Sequence, residues 1–215
     1  MIESMAVDIA GEPMQLLSDR ALFWPAQNRL LIADLHLGKG NTFRAWGIGI
    51  PTGGTAHDLN RLTALLAHTQ AQSLWILGDM LHANHHAAVD AQWARFRSQH
   101  ASVDFAVLPG NHDRHLDSGK LGIKQLHDGT RDGPFIFRHA PQPAQTDNAH
   151  ELAGHIHPVV RLPGVGLTPV FWLRAQRTVL PAFSAFTGGY VMPLRETGFC
   201  VACNGSTLVS LKRRF

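Results

Sequence analysis

Leu30-Leu31-Ile32-Ala33-Asp34-Leu35-His36 decides how this chain reads: four apolar residues, then a carboxylate and an imidazole two positions apart. The pattern recurs. Ser73-Leu74-Trp75-Ile76-Leu77 ends in Gly78-Asp79. Phe105-Ala106-Val107-Leu108 ends in Pro109-Gly110-Asn111-His112-Asp113, and Phe135-Ile136-Phe137 leads through Arg138 to His139. Short apolar runs bounded by turn residues are buried-strand signals. In open α/β sheets, sites form outside the carboxyl ends of the strands, and here each run delivers polar groups at that end. Gly154-His155-Ile156-His157 is a fifth polar cluster.

Helical signals lie between the runs. Thr55-Ala56-His57-Asp58 predicts a helix start, with Thr55 as cap and Asp58 in the third position. Leu59, Leu62, Leu65 and Leu66 follow at helical spacing, and residues 87–99 carry Val89, Trp93 and Phe96 on one face. Strand–helix–strand–helix–strand predicts a layered α/β fold. After His157 the texture changes. Residues 170–173, 178–180, 189–192, 199–202 and 207–211 are strand candidates separated by Gly, Pro and Asn. They predict a helix-free β meander, forming a second sheet on the first with helices outside. One domain over residues 1–215 is expected.

Composition narrows the class. Of 215 residues, 45% are hydrophobic, enough for a core, and only 16% are charged, so nothing reads as disordered. Nineteen Lys+Arg against 16 Asp+Glu give a net charge of +3 and a pI near 9.2. That suits an anionic substrate without arguing by itself for nucleic acid. Two cysteines, Cys200 and Cys203, cannot build a disulfide framework. On a strand they point to opposite faces and read as buried thiols. No basic-then-apolar signal stretch opens the chain, and no apolar run approaches the ~18–20 residues of a membrane span, so a cytoplasmic location is expected.

The outlier is His, at 14 residues. The clusters set imidazoles beside carboxylate and amide oxygens, a mixture that suits Mn²⁺, Fe²⁺ or Zn²⁺ better than Ca²⁺ or a thiolate site. The inventory is too large for one ion and right for two. Paired ions are the usual apparatus for cutting phosphate esters.

In order, Asp34-x-His36, Gly78-Asp79, Gly110-Asn111-His112-Asp113, His139 and Gly154-His155-x-His157 resemble the calcineurin-like metallophosphoesterase superfamily. A narrower likeness rests on His36-Leu37-Gly38-Lys39, Phe43-Arg44, Gly78-Asp79-Met80-Leu81-His82, Gly154-His155-Ile156-His157-Pro158 and the 180–189 stretch Leu-Pro-Ala-Phe-Ser-Ala-Phe-Thr-Gly-Gly. These resemble the bacterial ligase-associated DNA damage response endonucleases, the PdeM branch.

The resemblance implies a four-layer β-sandwich flanked by helices and two divalent ions, Mn²⁺ foremost, with Fe or Zn as alternatives. One ion would take Asp34, His36 and His157; the other Asn111, His139 and His155; Asp79 would bridge them. A bridging carboxylate keeps two cations about 3.5–4 Å apart, where an intervening water loses a proton near neutral pH. His112 would then act on the leaving oxygen, and Asp113 would fix its tautomer. Lys39, Arg44 and His82 would meet the substrate phosphate.

The branch further implies DNA as substrate, a role in DNA repair, and functional association with a DNA ligase and a helicase. The motifs also admit small nucleotides, cyclic nucleotides or nucleotide-linked precursors, because the metal centre would be the same. A catalytically dead scaffold would lack ligands, yet every expected position is filled. His57, His68, His100, His115, His127 and His150 read as surface residues, and Trp24, Trp75, Trp93, Phe171 and Trp172 as core. Lys212-Arg213-Arg214 reads as a solvated tail.

Overall fold

The computed structural model describes residues 1–82, 87–114, 116–143, 148–192 and 199–211. His115 and the basic tail lie outside them. Strands β1 (Ser4–Ile9), β2 (Glu12–Leu17) and β3 (Ala21–Trp24) run antiparallel into β4 (Arg29–Ile32). Helices α1 (Lys39–Ala45) and α2 (Gly54–Thr69) then carry the chain to β5 (Ser73–Leu77), parallel to β4. Helix α3 (Ala87–Gln99) leads to β6 (Asp104–Leu108), parallel to β5. A short α4 (Ser118–Leu121) precedes β7 (Lys124–Gln125), the last of seven strands in this sheet. Parallel neighbours require such crossovers.

The remaining strands build a second sheet: β8 (Thr130–Asp132), β9 (Phe135–Phe137), β10 (His150–Ala153), β11 (Pro158–Leu162), β12 (Gly166–Arg174), β13 (Arg177–Val179), β14 (Tyr190–Val191), β15 (Phe199–Cys203) and β16 (Leu208–Leu211). All five strand candidates beyond His157 are present. They depart from a simple meander, because β13 pairs in parallel with β10 and β14 in parallel with β11. Phe135–Phe137, which reads like the first-sheet runs, belongs to this second sheet.

Side-chain alternation explains why the parallel strands are apolar throughout. Leu30, Ile32, Leu74, Ile76, Phe105 and Val107 face α2 and α3, packing with Leu62, Leu65, Trp93 and Phe96. Leu31, Leu77, Ala106 and Leu108 face the second sheet and bury against Phe135, Phe137, Phe171 and Val201. Trp24 meets Phe135 edge-on at 4.9 Å across this interface.

The outer face of the second sheet carries Val160, Val170, Trp172 and Met192. Among the described residues no helix covers it, so the layers seen are helix, sheet and sheet. Cys200 lies in that outer cluster and Cys203 in the inter-sheet core. Burial pushes the Cys203 thiol up to about 12, so it is protonated at neutral pH. His150 corrects the surface reading: it is buried, with Nε2 2.9 Å from the Thr178 hydroxyl. No helix among the described residues is long and apolar enough to cross a membrane.

The predicted cap of α2 also needs correction. The helix begins at Gly54 with Gly53 as its cap residue and no side-chain cap. Thr55 Oγ1 instead accepts from Gly38 N–H at 3.2 Å, and Asp58 pairs with Arg61 at 2.8 Å. Thr55 thus serves the start of α1, and Asp58 serves Arg61 of its own helix together with Ala185 N–H at 3.3 Å. Arg61 also donates to Asp19 at 2.6 Å and to Phe183 O at 2.6 Å, with its guanidinium 4.1 Å over the Phe183 ring. It thereby fastens α2 to the segment following β13. Arg61→Ala would strand two largely buried carboxylates, and we expect it to cost about 3–5 kcal/mol in denaturant unfolding. A loss below about 1 kcal/mol would mean the cluster behaves like surface ion pairs.

Candidate metal centre

Strands β4, β5, β9 and β10 each deliver a polar residue two positions beyond their last residue: Asp34, Asp79, His139 and His155. The turn Asn111-His112-Asp113 follows β6, and His157 immediately precedes β11. Asp34, His36, Asp79, His155 and His157 have left-handed backbones, with φ of 54°, 48°, 48°, 69° and 51°. Such φ values are uncommon outside glycine, and Asp and His are among the residues that tolerate them. Leu35 between the first pair is fully buried in the helix-side core.

The side chains converge. Asp79 Oδ2 lies 4.0, 3.6 and 4.0 Å from Nε2 of His36, His139 and His112. Asp34 Oδ1 lies 3.3 Å from His157 Nε2 and 4.0 Å from His139 Nδ1. His155 Nδ1 is 3.1 Å from His139 Nε2. The groups Asp34/His36/His157 and Asp79/His139/His155 each hold their donor atoms within 4.8 Å of one another, as does His36/His82/His112.

Backbone carbonyls set three of the rings. Leu77 O stands 3.1 Å from His139 Nδ1, Gly188 O 3.3 Å from His157 Nδ1, and His82 O 3.1 Å from His112 Nδ1. A carbonyl only accepts, so each Nδ1 carries a proton, and the neutral form of each ring has its lone pair at Nε2. His36 goes further: both its nitrogens are buried without a hydrogen-bond partner. Burial, reinforced by Lys39, holds its pKa at about 2, so the ring is neutral.

Asp34 Oδ1 is likewise buried without a hydrogen bond, although His157 is close. Buried polar atoms left this way are costly. Two donors on one cation at ~2.0–2.2 Å stand roughly 3–3.5 Å apart, so the spacing of Asp34 and His157 fits a shared ion. Oxygen and imidazole donors suit a first-row divalent metal.

Asn111 is exposed on its turn, which is locked to Asp79 because His112 N–H donates to Asp79 Oδ1 at 2.8 Å. Two expectations change here. Asp113 does not orient His112. Its carboxylate accepts from the N–H groups of Met80, Leu81 and Gly110 at 3.1, 2.9 and 2.9 Å, stapling two loops together. The His82 carbonyl fixes the His112 tautomer instead.

Arg44 is committed to its own loop, donating to Pro51 O at 2.9 Å and Asn41 Oδ1 at 2.5 Å, rather than held out for phosphate. Lys39 opens α1, half-buried. His82 stacks on His112 with ring centroids 4.9 Å apart, and burial lowers its pKa to about 4. His85 and His86, close behind it in sequence, lie outside the described residues.

Some contributors carry no residue signature. The carbonyls of Leu77, His82 and Gly188 cannot be read from a sequence. Asp128 accepts from His139 N–H at 3.2 Å and pairs with Arg138 at 2.6 Å, and only the Asp128-Gly129 turn marked it.

The fold and this constellation define a metal-dependent phosphoesterase. A family model, Calcineurin-like phosphoesterase, matches residues 28–174, which include every residue that converges here, and the chain belongs to that family. A search of the curated proteins found no match. Among solved structures, the chain is similar to the Pseudomonas putida nuclease MPE, with 33% identity and a TM-score of 0.86 over 97% of this chain and 100% of that one. It is also similar to Yfce, a phosphoesterase from E. coli, with 19% identity and a TM-score of 0.48 over 81% of this chain and 86% of that one.

The motif glycines have steric reasons. A Cβ on Gly78 would stand 1.9 Å from His139 Nδ1, and one on Gly110 would stand 2.3 Å from both Asp79 N and Oδ1. Gly110→Ala must therefore displace Asp79. We expect near-normal far-UV circular dichroism but reduced metal content after dialysis against Mn²⁺. Wild-type metal content would show that the loop can yield.

Proposed function

We propose that this phosphoesterase holds two divalent cations and hydrolyses phosphodiester bonds in DNA. The observation that carries the reading is Asp79 Oδ2, within 4.0 Å of imidazole nitrogens from three separate segments. In this reading Asp34, His36 and His157 hold one cation, Asn111, His139 and His155 the other, and Asp79 serves both. Mn²⁺ is the first choice, with Fe or Zn as alternatives. When bound, the pair supplies Lewis-acid polarisation of the phosphoryl group and a water of lowered pKa.

The chain's own groups supply the rest. His112 is partly open to solvent, and its Nδ1 is held by the His82 carbonyl. With Nδ1–H committed to that carbonyl, Nε2 is the position that takes up a proton and, from the protonated ring, passes it to the leaving oxygen. Lys39 adds positive charge for an anionic substrate. DNA is favoured by the likeness to a nuclease along nearly the whole chain and by the net charge of +3. Association with a DNA ligase and helicase, in DNA repair, belongs to the same reading.

Asp79→Asn should lose activity and at least one metal ion; one ion per chain in a fully active wild-type preparation would overturn the two-metal reading. His112→Ala should keep both ions yet turn over ~10²–10⁴-fold more slowly, with a smaller loss on substrates with good leaving groups. Metal loss from that variant would move His112 among the ligands. The substrate is tested with Mn²⁺-loaded protein on an aryl phosphodiester, an aryl monoester, single- and double-stranded DNA and cyclic nucleotides. DNA cleavage should weaken with salt. Cleavage of small nucleotides alone would replace DNA as substrate.

A further inference from the structure

A cleft of ≈ 360 Å³ opens beside His36 and Lys39, between α1, the start of α2 and the segment around Ser184. Its lining combines apolar Ile50, Pro51 and Phe186 with the amide and hydroxyl groups of Asn41, Thr52 and Thr55. Phe186 is 43% exposed. Its ring packs 6.0 Å from Phe43, Phe43 lies 5.7 Å from His82, and His82 stacks on His112. An aromatic row thus connects the proposed proton donor to the cleft.

We propose that this cleft is a subsite for one nucleoside of the substrate, the one adjoining the phosphate under attack. The inference rests on the phosphodiesterase reading and names the part of the substrate that the centre itself does not touch. A base offers flat apolar faces and a polar edge. An exposed phenyl ring serves the first by stacking, and the Asn41 amide N–H groups with the Thr52 and Thr55 O–H groups serve the second, Asn41 Oδ1 being held by Arg44. A lipid chain would leave those polar groups facing hydrocarbon. The volume lies at the small end of ligand sites, roughly 300–1,000 Å³, so it admits one nucleoside and not a duplex. Lys39 lines this cleft together with His36 of the candidate metal centre, so a phosphate held by Lys39 would sit beside that centre.

Calorimetry on the Mn²⁺-loaded protein tests this, comparing thymidine 5′-monophosphate with deoxyribose 5-phosphate, which keeps the phosphate and lacks the base. The nucleotide should bind about tenfold tighter, within the range for one stacked base. Phe186→Ala should bring the two ligands within about twofold of each other, and Phe186→Trp should keep the preference. Equal affinities in the wild type, no binding of either ligand, or an undiminished preference in Phe186→Ala would overturn the subsite. Hydrolysis of a bis-aryl phosphodiester by the same preparation separates the two readings. Its absence would sink the phosphodiesterase reading, whereas hydrolysis without a base preference would sink only the subsite.

Discussion

Two carboxylates in a dry interior set the terms for the rest of this structure. Asp34 is fully buried and Asp79 nearly so. A buried carboxylate without compensation costs several kcal/mol, and the chain answers with backbone donors from other motifs. His155 N–H donates to Asp34 Oδ2 at 2.9 Å, and His112 N–H to Asp79 Oδ1 at 2.8 Å. Each motif thus supplies the hydrogen bond that another motif's acid needs. The second oxygen of each acid faces imidazole nitrogens, where a cation would complete the compensation. Metal binding and folding are coupled in such an arrangement.

The same constraint accounts for the backbone. Five non-glycine residues of the centre adopt the left-handed conformation. Held residues of this kind cost of order 1–3 kcal/mol each and persist only where the surroundings over-determine them. Here the surroundings are the two cores. In Asp34-Leu35-His36 the central Leu is fully buried while the flanking side chains turn to the site. In His155-Ile156-His157, Ile156 packs on the outer cluster of the second sheet. The two-residue spacing of both motifs follows from this: one anchor in a core, one site-facing side chain on either side.

That logic also explains what could be read from the chain. The strand ends at Ile32, Leu77, Leu108 and Phe137 were legible because apolar runs stop there and turn residues follow. Of the N-terminal hairpins, β1 and β2 were not, because polar residues interrupt their apolar pattern, and β3, though wholly apolar, is only four residues long. Asp113 beside His112 looked like its partner because adjacency is all that a sequence displays. In space its carboxylate meets three backbone N–H groups from two loops. Arg44 looked like a substrate cation for the same reason, since its acceptors at Asn41 and Pro51 are ordinary residues. His150 was misplaced because its hydroxyl partner, Thr178, lies 28 positions away.

The centre is divided between the sheets. Asp34, His36 and Asp79 follow strands of the first; His139, His155 and His157 flank strands of the second. Their spacing is therefore a property of sheet-on-sheet packing and not of any one loop. Three contacts lock the register across the divide: Ala33 bridges Ala182, and Phe183 N–H and Ser184 N–H donate to Ala33 O and Asp34 O at 2.8 and 3.2 Å. Arg20 and Arg61 hold the far side of that same segment through the carbonyls of Ala182, Phe183 and Ser184. Close-packed interiors transmit strain, so a change in the Trp24–Phe135 interface would reach the converging side chains by altering how the two sheets meet. In this protein the inter-sheet core belongs to the site as much as the histidines do, because it sets the distance between the two halves.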